Sequence, residues 1–212
     1  QTGNHPLITM CLRRKGEIIL NRSLGYASGN SADGLASDAV LANPDTPICL
    51  FSASKIITAM LIHMLDETGA INLLDPISYY IPEYAQNGKR RATIFHLLSH
   101  RGGIPRIEME VTPELLFDKD QILQHLYAAQ PISPAGTHLA YHAVTAGYIL
   151  GELIERVTGQ DIRQFLHEQI EKPMGLDYFN YGLKPEYRAD VALNYATGMH
   201  PSLGTDHYLH RV

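Results

Sequence analysis

The sequence predicts an α+β protein, and three observations carry that prediction. Near the N-terminus, Pro6 to Leu12 and Glu17 to Leu20 are apolar runs on either side of the polar turn Arg13-Arg14-Lys15-Gly16, the pattern of an antiparallel hairpin. From residue 54 to residue 176, apolar residues recur with helical period between Asp, Thr and Gly punctuation. After that come short aromatic-rich pieces and a Gly/Pro/His-rich tail without a strand pattern. The expected architecture is an antiparallel sheet flanked by helices, together with a mainly helical subdomain.

At 212 residues, 45% of them hydrophobic, the chain can bury a sizeable core, and one domain over 1–212 is expected. Within it, 1–70 reads as the start of the α/β part, 71–176 as the helical part and 177–212 as an irregular end. The formal net charge is -5, from 17 basic and 22 acidic residues without a basic block. That argues against nucleic acid or an anionic membrane surface as the main partner. No stretch approaches eighteen uninterrupted apolar residues, so no spanning helix is expected. Cys11 and Cys49 each sit among apolar neighbours and read as buried small hydrophobes rather than a disulfide framework. The chain begins with Gln1, so the lack of a leader pattern says little about compartment.

In order, Leu24 to Ala27 extends the second strand, and Ser28 to Pro47, rich in Gly, Ser, Asp, Asn and Pro, reads as a loop. Ser54 to Thr68 is the strongest helix: Ile56, Ile57, Ala59, Met60, Leu61, Ile62, Met64 and Leu65 make it apolar on nearly every side, and Gly69 stops it. A helix apolar all round belongs inside a domain. Asp75-Pro76 opens a short helix through Tyr79 or Tyr80, with Asp75 as N-cap. Thr93 caps Ile94 to His100, Asp118 starts a helix through Ala129, and Val144 to Val157 forms a long helix closed at Thr158-Gly159. Gly147 and Gly151, one turn apart, suggest close packing there against a neighbour. Asp161 caps a further helix through Ile170, ended by Pro173-Met174-Gly175-Leu176.

The chemistry-bearing stretch is Phe51-Ser52-Ala53-Ser54-Lys55 at the mouth of the strongest helix. Residues three apart share a helix face, so the Ser52 hydroxyl and the Lys55 amine are neighbours, and a serine becomes a nucleophile when a nearby base takes its proton. By itself the pattern better fits an ordinary helix N-terminus, with Ser52 or Ser54 as N-cap and Lys55 reaching solvent. Tyr141 follows a Pro-Ala-Gly turn and precedes the long helix. A phenol beside a cation has its pKa lowered and can shuttle protons, although aromatic packing at a helix entrance explains it equally simply. The eleven histidines invite a metal reading, through His96 with His100 and His138 with His142. No Glu follows the first His of either pair, so packing or polar capping is expected instead. Tyr79, Tyr80, Tyr84, Tyr127, Tyr178 and Tyr181 could line an acyl pocket, with aromatic core as the default for each. The sequence holds no Gly-x-Ser-x-Gly elbow, phosphate loop or dinucleotide fingerprint.

Taken in order, Phe51-Ser52-Ala53-Ser54-Lys55, Leu73-Leu74-Asp75-Pro76 with Tyr80-Ile81-Pro82-Glu83, His96-Leu97-Leu98-Ser99-His100 with Gly103-Ile104-Pro105, and Tyr141 leading into Gly147-Tyr148 and Gly151-Glu152-Leu153-Ile154 resemble the serine β-lactamase-related family. Its members include class C β-lactamases, D-alanyl-D-alanine carboxypeptidase and D-aminopeptidase relatives, and carboxylesterases of the same fold. The resemblance runs from about Leu7 to about Leu176. It implies a β-lactamase/transpeptidase-like fold, with Ser52 as acylated nucleophile, Lys55 as its activating partner and Tyr141 moving protons. The backbone N–H of Ser52 would form half of an oxyanion hole. No cofactor and no metal are expected, and the substrate implied is a small-molecule ester or amide.

Two positions depart from the family pattern. The motif has Asn two residues after the tyrosine, where this chain has Ala143; in β-lactamases that amide contacts the substrate amide, so its loss favours esters. The Lys-Thr-Gly-type strand of the family is not found; Ala196-Thr197-Gly198 is a faint likeness without the cation. The sequence thus reads as the N-terminal and helical portion of a longer enzyme. The expected activity is that of a carboxylesterase on small to medium acyl esters. The alternatives are a β-lactamase or D-amino-acid peptidase, and a non-catalytic binding module of the same fold.

Overall fold

Strands β1 (Leu7–Arg14) and β2 (Glu17–Ser31) pair antiparallel through the register Arg14↔Glu17. The two residues between them, Lys15 and Gly16, both have positive φ, 51° and 87°, the geometry of a type I′ turn whose twist matches the strands. The computed structural model describes residues 5–31, 34–107, 112 and 114–195. It divides the chain into two units, one made of residues up to 51 and those from 182 onwards, the other of residues 52–181.

In the first unit, β3 (Gly34–Leu41) adds to β2 and makes a three-stranded antiparallel sheet of order β1-β2-β3. The loop expected over Ser28 to Pro47 is therefore largely strand. Its Gly- and Ser-rich composition serves close, bulged pairing rather than a turn. The register shifts between Tyr26 and Ser28 and again between Ser28 and Asn30, and at Gly29 (φ 77°) a Cβ would lie 2.7 Å from the Ala39 Cα. A bulge of this kind needs glycine. The segment after residue 182 returns to the sheet, where Leu193 N–H donates to the Ala27 carbonyl at 2.7 Å and the Tyr195 hydroxyl accepts from Gly29 N–H at 3.0 Å. Cys11 and Cys49 are exposed thiols, which corrects their reading as buried. Ile8, Met10 and Leu12 of the same strand are exposed as well, because apolar neighbours along a strand do not themselves cover it.

The second unit is helical. In α1 (Ser54–Glu67), Thr58, Leu61, Ile62 and Leu65 are buried, the i, i+3, i+4, i+7 stripe of a one-sided helix. Ile56 is 72% exposed and Met60 39%, so α1 is not enclosed all round as its composition suggested; the stripe, not the total apolar content, decides what is covered. The buried stripe meets Ile77, Ile94, Ile122, Leu153 and Ile154 in one hydrophobic core. Those residues come from α2 (Ile77–Tyr80), α3 (Ile94–Leu98), α4 (Lys119–Ala128) and α5 (Thr145–Thr158).

At α3, α4, α5 and α6 the caps follow the expected residues. Thr93 accepts from His96 N–H while the His96 ring accepts from Thr93 N–H, a capping box with histidine in the reciprocal place. Asp118 and Asp161 accept from the first-turn amides of α4 and α6 (Ile162–Leu166), and Gly159 closes α5 in the left-handed conformation. At α2 the N-cap is Pro76; Asp75 instead accepts from the Tyr80 hydroxyl at 2.7 Å. Among the described residues the Gly147/Gly151 pair makes no close approach: a Cβ at 147 would meet nothing within 4 Å, and one at 151 would meet the Ile162 Cγ2 of α6 at 4.0 Å, an ordinary contact. After α6 the chain continues through a π-helical turn, His167–Glu171, and a last turn, α7 (Lys172–Met174), to Gly175.

Lys89 is 1% exposed and donates to the carbonyls of Gln86, Tyr127 and Ala129 at 2.9, 2.9 and 2.5 Å. Burial pushes the amine down to about 8, so at pH 7 it keeps the three N–H groups that those three acceptors need. The cation ties the 86–92 loop to the C-terminal end of α4, where helix carbonyls are left over. Lys89→Met removes the cation and strands buried carbonyls. It is expected to cost on the order of 3 kcal/mol, a fall in Tm of roughly 10 °C measured by thermal denaturation.

Candidate active site

Ser52 stands in a single 3₁₀ turn, Phe51–Ala53, that runs directly into α1. Phe51, just before it, holds φ at 46°, a left-handed conformation that costs an aromatic residue about 1 kcal/mol. The N-cap of α1 is Ala53, without a side-chain hydrogen bond, so neither Ser52 nor Ser54 is spent on capping. The Ser52 hydroxyl accepts a hydrogen bond from the Tyr141 hydroxyl at 2.7 Å.

Lys55, the second residue of α1, does not reach for solvent. Its Nζ donates to the Ala143 carbonyl at 2.7 Å and lies 5.0 Å from the centroid of the Tyr141 ring, close enough for a cation–π attraction. The three residues singled out in the sequence thus meet in one place, and the lysine is oriented by a backbone oxygen. Hydrogen bonding to Ser52, then hydrogen bonding to Lys55 and the lysine's charge, hold the Tyr141 phenol below its usual range. Tyr141 is 44% exposed, so the phenol is open to solutes.

Behind the tyrosine stand two residues that sequence reasoning assigned only to packing or capping. The His100 ring packs on the Tyr141 ring with centroids 4.8 Å apart, and the His142 ring stacks on His100 at 5.9 Å. Burial, with the Lys55 charge as a second cause, pushes His100 below the usual imidazole range. Ala143 was notable in the sequence only for lacking an amide; its carbonyl is the acceptor that the lysine uses. A side-chain pattern cannot reveal a backbone acceptor, although its place two residues after the tyrosine was a signal.

The other candidates scatter. His96 serves the α3 cap, and His138 bonds the Thr137 hydroxyl. Among the described residues no group of three or more His, Cys, Asp or Glu side chains could hold a metal ion. Tyr84 and Tyr127 are buried core, Tyr80 and Tyr181 bond Asp75 and Thr58, and Tyr79 is 75% exposed. Ala196-Thr197-Gly198 lies outside the described residues.

Comparison with known proteins gives the family. The Beta-lactamase family model matches residues 1–212. The chain is 33% identical over 141 residues to the esterase/β-lactamase LipL of Mycobacterium tuberculosis, covering 66% of this chain and 32% of LipL. Among solved structures, a penicillin-binding protein homologue from Caulobacter crescentus superposes with a TM-score of 0.80 at 32% identity, over 90% of this chain and 49% of that one. A family VIII carboxylesterase gives 0.76 at 32% identity, over 87% and 49%. The chain therefore spans between a third and a half of the relatives it matches, and the expected α+β class and β-lactamase/penicillin-binding-protein-like fold are borne out. On the family match and these superpositions together, the chain belongs to the β-lactamase family, whose homologues here are serine hydrolases of esterase and carboxypeptidase-like or penicillin-binding kinds.

Proposed function

We propose that this protein is a serine hydrolase working through an acyl-enzyme, and specifically a carboxylesterase on small to medium acyl esters. The observation that carries this reading is the 2.7 Å hydrogen bond between Tyr141 and Ser52 beside an oriented Lys55. In the reactive form Tyr141 is ionised and accepts the proton of Ser52 as Oγ attacks the ester carbonyl carbon. The phenol then gives that proton to the departing alkoxide, the C–O bond to the leaving group breaks, and the acyl group remains on Ser52. Water adds to the acyl carbon, its proton passes to Tyr141 and back to Ser52, and the carboxylic acid leaves. The Lys55 cation favours the phenolate throughout by charge and hydrogen bonding.

The preference for esters is supported by Ala143, which offers no amide side chain to a substrate amide, and by the esterase names of LipL and the family VIII carboxylesterase. The penicillin-binding homologue keeps a second reading in play, in which the same serine acts on β-lactams or D-amino-acid peptides.

Protein expressed from its complete reading frame is expected to turn over p-nitrophenyl acetate and butyrate, and Ser52→Ala to lower kcat at least about 10³-fold. Undiminished turnover in that variant removes Ser52 from the role, and failure of a fluorophosphonate probe to label the folded wild type points to a non-catalytic module. Nitrocefin hydrolysis faster than ester hydrolysis would move the substrate class to β-lactams. The tyrosine is tested separately by the difference in phenolate absorbance between wild type and Tyr141→Phe across a pH titration. Tyr141 should ionise below the ordinary tyrosine value of about 10, and Lys55→Met should move that ionisation upward.

A further inference from the structure

Both contacts of the 140–143 segment with the nucleophile turn and α1 are made by the residues flanking His142. Tyr141 reaches Ser52 from one side, and the Ala143 carbonyl receives Lys55 on the other. His142 itself is 1% exposed, and its backbone N–H and both ring nitrogens are engaged. Its backbone N–H donates to His100 Nδ1 at 3.1 Å, its Nε2 accepts from Ile104 N–H at 3.2 Å, and its Nδ1 bonds the Ala140 carbonyl at 2.6 Å. Since Nε2 accepts a backbone proton, the ring proton is on Nδ1, and the imidazole is neutral in a fixed tautomer. Burial favours that neutral form.

We propose that His142, backed by His100, is the positioning residue of this site: it locks the 140–143 segment onto the 100–104 loop so that Tyr141 and the Ala143 carbonyl face Ser52 and Lys55. The loop is shaped for this duty. A Cβ on Gly102 would lie 3.2 Å from His142 Nε2 and 3.0 Å from the Leu97 side chain, so glycine leaves the ring its place. His100 sits at φ 59° with its Nδ1 accepting from the His142 amide, and Ala140 N–H donates back to the His100 carbonyl at 3.0 Å. Freed from these tethers, residue 142 lets its neighbours drift, and a misplacement of about 1 Å at a reacting group costs roughly 10²-fold in rate. The inference rests on the acyl-enzyme reading given above.

Steady-state kinetics on p-nitrophenyl butyrate at a temperature well below each variant's Tm tests it. His142→Ala should lower kcat about 10²-fold with KM within about threefold, because the reacting groups and not the substrate pocket are displaced. His142→Gln, whose Oε1 stands in for Nε2 and can accept from Ile104, should recover at least tenfold of that loss. Thr145→Val removes another buried tether to the same loop residue, the 2.6 Å bond from the Thr145 hydroxyl to the Ile104 carbonyl. It should lower Tm while leaving kcat within about threefold. If His142→Ala does not fold, His100→Gly and His100→Asn replace it: both suit a positive φ, and only Asn keeps an acceptor for the His142 amide. Asn should then exceed Gly at least tenfold in kcat. Equal rates in that pair, a kcat for His142→Ala near wild type, no recovery in His142→Gln, or an equal kcat loss in Thr145→Val each overturn the proposal. Ser52→Ala run alongside separates the two ideas: turnover lost there but kept in His142→Ala defeats the positioning role alone.

Discussion

Two hydrogen bonds of 2.7 Å, Tyr141 to Ser52 and Lys55 to the Ala143 carbonyl, join stretches nearly ninety residues apart in the chain. The rest of the helical unit can be understood as what makes that junction hold. The stripe of Leu61, Ile62 and Leu65 fixes α1 in the core, and Ile149, Leu150, Leu153 and Ile154 fix α5 in the same core. The Ser52 turn enters the first of these helices and the Tyr141 segment enters the second. Side chains mounted at the ends of rigid elements keep their spacing without a pairwise bond for every atom.

The two lysines that matter structurally solve a common problem in the same way. Lys55, half-buried, and Lys89, buried, both direct their ammonium groups at backbone carbonyls, and neither has a carboxylate partner among the described residues. A carbonyl orients a cation without cancelling its charge. At Lys89 this leaves a fixed cation to bind three carbonyls from two segments of backbone. At Lys55 it leaves the positive field free to act on the neighbouring phenol.

Much of this was legible in the residues. Thr93, Asp118 and Asp161 cap helices because their short side chains are made for orphan amides, and Gly159 and Gly175 end helices because left-handed backbone suits them. Ser52, Lys55 and Tyr141 were found from the motif blocks and come together in space. What escaped has physical reasons. The third strand was hidden because Gly29 and its small neighbours serve a bulged ladder, which in composition looks like a loop. The exposure of Cys11, Ile56 and Met60 was missed because apolar content shows what could be covered, not what is. The role of His142 was invisible because its partners are the backbone groups of Ile104, Ala140 and His100's ring, which a one-dimensional pattern does not bring together.

The way Lys55 is held has a consequence for how such a site can change. Its acceptor is the main-chain oxygen of residue 143, an atom that every amino acid supplies. Substitution at 143 can therefore alter the side chain presented beside Ser52 while the amine keeps its mooring. The mooring of the amine and the side-chain surface beside it thus belong to different atoms of one residue, so that selection can revise the second without first having to rebuild the first.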